Sequence, residues 1–295
     1  MTTMTIGFIG QGFIGKNYAD DFEQRGYTVI RYALEEPYRG NKEKIAACDI
    51  VFIAVPAPTT TGGFDDSVIR EALALVGKGK TAVIKSTLAA GTTDALAAEY
   101  PDRFVMHSPE FLVESTAAYD AAHPTRNIIG IPHDTKMYRE AAEAVLSILP
   151  EAPFSLICSA REAEIIKYAC NCFLFTKVIF ANVAHDLAEA HHASWDSIRE
   201  AMAADSRIGP SHLRVVDASK HPGATPGRGA GGHCFIKDFA AFRAMYEEAL
   251  PGDANGRQLL RALEDKNIEL LMKSKKDLAM LTGVYGDDDT RLCGS

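Results

Sequence analysis

The sequence predicts an α/β chain, with a doubly wound parallel sheet in its first half and a mostly α-helical domain after it. Three observations carry that reading. Short β-branched runs alternate with helix-like stretches up to about residue 158, a glycine-rich turn joins the first run to the first helix, and beyond residue 158 the extended runs cease. At 295 residues the chain exceeds the comfortable size of one hydrophobic core, so two domains are expected, 1–158 and 159–295.

The strand candidates are "TIGFIG" (5–10), "YTVIRY" (27–32), "DIVFIAV" (49–55), "TAVIKS" (81–86), "RFVMHS" (103–108), "RNIIGI" (126–131) and "FSLIC" (154–158). "DIVFIAV" is apolar on both faces after its first residue, as a strand between two helical layers must be. Residues 159–192 contain no Pro or Gly and read as one long helix, with Ser159 as its cap and Glu162 completing a capping box. A second helix is expected over 194–203. A Gly/Pro-rich stretch fills 205–233, and helical patterns resume over 237–249 and 256–281. The acidic "GDDD" at 286–289 reads as a solvated end.

Acidic residues outnumber basic ones, 39 to 31, for a formal charge of -8, and the basic residues are dispersed. That excludes a nucleic-acid partner. The N-terminus lacks the pattern of a signal peptide and no apolar run approaches a membrane span, so no membrane partner is expected. Six scattered cysteines point to reduced thiols and a cytoplasmic location. Cys170 and Cys172 lack the companion ligands of a zinc site, and no metal is expected.

Gly10, Gly12 and Gly15, with Phe13 and Ile14 between the last two, form a G-x-G-x-x-G after a strand and at the opening of a helix. Glycine there serves the turn, the approach of a pyrophosphate and helix packing, so the first domain is expected to be of the Rossmann type and to bind a dinucleotide. Ala33 stands where an acidic ribose ligand is usual. The cofactor is therefore either NAD held by Glu35 or Glu36, or NADP with Arg31 against its 2′-phosphate; NAD is preferred.

Four further stretches, "VFIAVPAPTT" (51–60), "KSTLAAGTT" (85–93), "SPEFLVES" (108–115) and "GRGAGGHCFIKD" (227–238), resemble the successive motifs of the UDP-glucose/GDP-mannose dehydrogenase family. They come in that family's order, joined by "AEIIKYACN" (163–171), and the resemblance runs from Met4 to about Leu281. It implies two NAD-dependent oxidations of a primary alcohol to a carboxylate, without release of the aldehyde.

The residues suit that reaction. Cys234 lies in a glycine-rich setting open to a substrate carbon, where a thiolate can add to an aldehyde and the adduct can pass on to a thioester. Lys237 favours the thiolate and is an expected cofactor contact. Lys167 and Asn171, four apart on one helix face, can stabilise a developing alkoxide or oxyanion. The resemblance implies that Asp238 works with Thr87 and a water, and that Glu110 is the base for thioester release. It also implies that Glu114 contacts cofactor or substrate, that Phe111, Leu112 and Gly231 line the substrate site, and that Arg207 reaches a neighbouring subunit's site in a homodimer built on the 160–190 helix.

Departures fall on substrate grip. The family's second nucleotide-binding-like domain is expected to be missing after residue 281, Ala57 replaces a threonine, Val113 replaces a frequent arginine, and 212–226 looks inserted. The substrate is thus a nucleotide sugar or a smaller sugar or nucleoside. Two rival readings remain: a two-electron hydroxyacid dehydrogenase using Lys167 and Asn171 alone, and a non-catalytic dinucleotide-binding protein.

Overall fold

A computed structural model describes residues 4–60, 63–221 and 223–292. It falls into two compact units, 1–58 with 64–167 and 59–63 with 168–295, and the division lies inside one long helix between Lys167 and Tyr168. Cys293 lies outside the described residues.

In the first unit, β1 (Thr5–Ile9), β2 (Thr28–Tyr32), β3 (Ile50–Ile53), β4 (Thr81–Ile84), β5 (Phe104–His107), β6 (Asn127–Ile131) and β7 (Ser155–Ser159) form one seven-stranded sheet in the order β2-β1-β3-β4-β5-β6-β7. Between them run α1 (Phe13–Gln24), α2 (Ser67–Ala74), α3 (Thr92–Glu99), α4 (Ala117–Ala122) and α5 (Lys136–Ile148). Alternate residues of β3 serve opposite layers. Phe52 stacks on Phe8 with centroids 5.0 Å apart, while Val51 and Ile53 join Ile9 and Ile84 in the other cluster. Burial on both faces is what made these strands apolar throughout.

The sheet departs from the all-parallel expectation at one edge, because β6 pairs antiparallel with β5 and β7 runs parallel to β6. Between these two strands the chain carries a short 3-10 turn at Glu114–Thr116 and the six-residue α4.

The second unit takes up the helix α6 (Ala160–Ala190) from Tyr168 and adds α7 (Trp195–Ala204), α8 (His233–Ala249), α9 (Ala254–Ser274) and α10 (Leu278–Tyr285). Val216–Asp217 pairs antiparallel with Gly227–Arg228 inside the Gly/Pro-rich stretch. Its core is Phe175 stacked on Phe239 at 3.9 Å, with Cys172, Ile179 and Leu270 around them. At its start α6 has the expected capping box: Ser159 donates from its amide and hydroxyl to Glu162 Oε2 at 2.8 and 2.7 Å.

Two helix boundaries are corrected. α8 begins at His233, not 237, because Gly232 at φ +85° turns the chain into it. Cys234 is therefore helical, and Asp238 lies in the second turn. The expected 256–281 helix is two helices, broken where Lys275 and Asp277 both take the left-handed conformation at φ 54°. Among the described residues no helix is long and apolar enough to cross a membrane.

Candidate functional site

The glycine loop of the first unit has the shape a dinucleotide needs. Gly10 takes φ +90°, and a Cβ there would stand 2.2 Å from the Ala54 carbonyl oxygen. A Cβ on Gly15 would meet the Gly10 carbonyl oxygen at 2.0 Å, whereas Gly12 faces open space. Gly12 is the N-cap of α1 and has no side chain to cap the first-turn amides, which are available to an anion. Phe13 is exposed and Ile14 half-buried beside them. Arg31 is buried and ion-paired to Asp20 at 2.6 Å and Glu23 at 2.7 Å, both on α1. Its charge is already matched, which removes the reason to expect a 2′-phosphate there. Glu35 and Glu36 are exposed after β2.

At the ends of β4 and β5 a buried charge cluster forms. Glu110 and Lys167 are each 4% or less exposed. Lys167 Nζ donates to Glu110 Oε1 at 2.9 Å and to the Glu110 carbonyl at 2.7 Å, while Glu110 Oε2 accepts from the Leu112 amide at 2.8 Å. Lys85 lies close by in the same unit, its Nζ 3.1 Å from Ser108 Oγ and 4.4 Å above the Tyr18 ring. Burial pulls its ammonium down to about 8; Glu110 opposes the shift and Lys167 adds to it. His107, fully buried with Nδ1 3.1 Å from the Ile84 carbonyl, is pushed down to about 3 by desolvation and is neutral.

A cavity opens against this cluster, lined by Lys85, Ser108, Phe111, Leu112, Asp120 and Arg126 among others. The Arg126 guanidinium stacks 3.8 Å above the Phe111 ring. Thr87 is half-buried in the loop after β4, and Glu114 is exposed at the head of its 3-10 turn. The first unit thus brings Glu110, Lys167, Phe111 and Leu112 together.

In the second unit Asp238 is 1% exposed. Its Oδ2 accepts from Asn171 Nδ2 at 2.6 Å and its Oδ1 from Lys237 Nζ at 2.5 Å. One helical turn earlier, in the first turn of α8, stands the half-buried Cys234. Three other thiols are held neutral: burial, then the Asp238 charge, pushes Cys172 far up, and burial lifts Cys48 and Cys158 to about 11. Gly231 is half-buried, and the Arg207 side chain is 87% exposed and paired with Asp205. His185, Asp186 and Glu189 bring ligand atoms within 4.8 Å of one another, but Arg228 and Lys266 already neutralise Asp186.

Sequence reasoning missed Lys85, Tyr18 and Arg126 in the first unit and Asp277 in the second. A signal existed for Lys85, a lysine set directly after the four buried strand residues "TAVI". None existed for the others.

Two family models match the chain. Residues 38–148 match the NAD binding domain of the UDP-glucose/GDP-mannose dehydrogenase family, and residues 161–268 match its central domain. A UDP-glucose 6-dehydrogenase of Rhizobium meliloti is 33% identical over 214 residues, 68% of this chain and 46% of that protein. One from Pseudomonas aeruginosa is 31% identical over 254 residues, 80% of this chain and 52% of that protein. The chain spans about half the length of these curated relatives. Among solved structures, a UDP-glucose dehydrogenase from Pyrobaculum islandicum is 28% identical with a TM-score of 0.74, over 92% of this chain and 70% of that one.

Proposed function

Because the chain belongs to the UDP-glucose/GDP-mannose dehydrogenase family, we propose that it oxidises the primary alcohol of a nucleotide sugar to a carboxylate in two NAD-dependent steps through Cys234. The observation that carries the reading is the helix α8, which sets Cys234 one turn before a buried Asp238 held by Asn171 and Lys237.

NAD, when bound on the Gly10–Gly15 loop, accepts one hydride in each oxidation. Asp238, with Thr87, holds the water that takes the alcohol proton. Lys167 and Asn171 donate to the oxygen as it becomes an alkoxide and then a carbonyl. The Cys234 thiolate adds to that carbonyl carbon, and the oxygen takes a proton to give the thiohemiacetal. Loss of a second hydride from carbon and the proton from oxygen leaves a thioester. Water then adds as Glu110 takes its proton, the C–S bond breaks, and the sulfur leaves as thiolate. In sum, one alcohol, one water and two NAD give one carboxylate, two NADH and three protons.

Phe173, Phe180, Val183 and Leu187 leave one apolar stripe of α6 exposed in the second unit, which supports the homodimer in which Arg207 would reach a neighbour's site. The free thiols of Cys48, Cys158, Cys170, Cys172 and Cys234 support a cytoplasmic location. Stopped-flow NADH yield with UDP-glucose tests the reaction. Two NADH per substrate, with Cys234→Ala unable to make the second, is expected. One NADH per substrate and an unaffected Cys234→Ala would establish a two-electron dehydrogenase instead.

A further inference from the structure

The residues leading to Cys234 are held one after another by side chains at the C-terminal end of α9. Ser274 Oγ accepts from the Arg228 amide at 3.0 Å and donates to its carbonyl at 3.2 Å. Lys276, 3% exposed, donates to the carbonyls of Gly227 and Gly229 at 3.4 and 2.9 Å. Asn267, equally buried, accepts from the Ala230 amide at 2.7 Å and donates to its carbonyl at 3.1 Å. Asp277 ends the series: its Oδ2 accepts from the Gly232 amide at 2.7 Å and from Ser219 Oγ, and its Oδ1 lies 2.9 Å from His221 Nε2.

Asp277 shows signs of being placed by its surroundings. Its side chain is 2% exposed, and its backbone sits at φ 54°, two residues after Lys275 in the same conformation. Left-handed non-glycine residues persist where the structure around them over-determines the geometry. Burial raises its carboxyl, yet the bonds from Ser219, His221 and Gly232 outweigh that and hold it below the ordinary aspartate range. A Cβ on Gly231 would stand 2.1 Å from Asp277 Oδ2 and 2.6 Å from Ser219 Oγ, so the bare glycine at 231 is required by this cluster. The cluster is not a hydrolytic triad, because Ser219 donates to the carboxylate and not to the imidazole.

We propose that Asp277, oriented by Ser219 and His221, is the positioning residue for Cys234. By fixing the Gly232 amide it sets where α8 begins, and so where the sulfur two residues later sits. Displacing a nucleophile by about 1 Å is enough to cost a rate on the order of a hundredfold. Ser219 and His221 belong to the 212–226 segment, whose work is then to anchor the nucleophile's loop. The inference rests on the reading of Cys234 as the covalent group.

The test uses the full chain with NAD and UDP-glucose. In Asp277→Asn the first oxidation is expected within twofold of wild type, with the second slowed at least tenfold. KM for UDP-glucose should stay within twofold, and hydroxylamine should trap free aldehyde. A merely structural defect would slow both oxidations alike and release no aldehyde. Ser219→Ala changes no charge and serves if Asp277→Asn fails to fold. Its first α8 turn is loosened, so iodoacetamide should alkylate Cys234 at least threefold more slowly at pH 7, read by mass spectrometry. Wild-type alkylation in Ser219→Ala overturns the positioning role, as does a wild-type second oxidation in Asp277→Asn. A Cys234→Ala protein that still yields two NADH overturns the covalent reading alone, and the alkylation rates then decide the clamp by themselves.

Discussion

Replacing Lys85 by methionine removes a buried charge while keeping the length and flexibility of the side chain. Lys85 is 4% exposed, and its ammonium is pulled from 10.5 down to about 8. At about 1.4 kcal/mol per unit, that shift is a cost of about 3 kcal/mol wherever the native group is fully protonated. Below pH 8 both native and unfolded chains hold the proton, so the full cost is present. Between pH 8 and 10.5 the unfolded chain binds a proton that the native chain has released, and wild-type stability from this group rises with pH. Methionine removes that slope and also the bond to Ser108 Oγ, a loss of about 1 kcal/mol. Lys85→Met is therefore expected to be about 2 kcal/mol more stable than wild type at pH 7 and, by pH 10, to have lost that advantage. Urea unfolding of the two proteins at pH 7 and 10 measures it, and pairwise comparison cancels the other titrations. A difference that does not change between those pH values, or a variant less stable at pH 7, refutes the account.

Lys167→Met strands the Glu110 carboxylate at 4% exposure and should destabilise by about 3–5 kcal/mol; adding Glu110→Gln should recover much of it, since residue 110 then carries no charge to strand. Urea midpoints of the single and double variants decide, and equal midpoints would show that the pair is not coupled. Gly15→Ala drives a methyl into the Gly10 carbonyl, a 2.0 Å approach, and should weaken NAD binding more than tenfold. The readout is the loss of the NAD-induced thermal shift.

The strands were legible because burial on both faces leaves an unbroken apolar run, as in "IVFI" of β3. The direction of β6 was not, because a strand's residues read the same in either sense. "GGHC" looked like loop because Gly and His are poor helix formers. Ties from Asn267 to Ala230 and from Asp277 to Gly232 fix the turn that lets α8 start at His233, and those ties come from residues far along the chain. The break after Ser274 was hidden for a related reason: "KKD" contains neither Gly nor Pro, yet takes left-handed backbone at Lys275 and Asp277. Glu110, Lys167, Asn171 and Asp238 stood out by motif. Lys85 and Asp277 did not, because their importance lies in what they touch.

Glu110 and Asp238 are each neutralised inside their own unit. Glu110 is held by Lys167 and the Leu112 amide in the first, and Asp238 by Asn171 and Lys237 in the second. An unpaired carboxylate at such burial would be strongly destabilising, so neither unit needs the other to balance its charge. The arrangement also orders the chemistry proposed for it. Lys167 now divides its donors between the Glu110 carbonyl and carboxylate at 2.7 and 2.9 Å. A substrate oxygen that gains charge competes for the same ammonium, and each increment it takes loosens the hold on Glu110. Stabilising the oxyanion and freeing the base for thioester release are then two ends of one exchange.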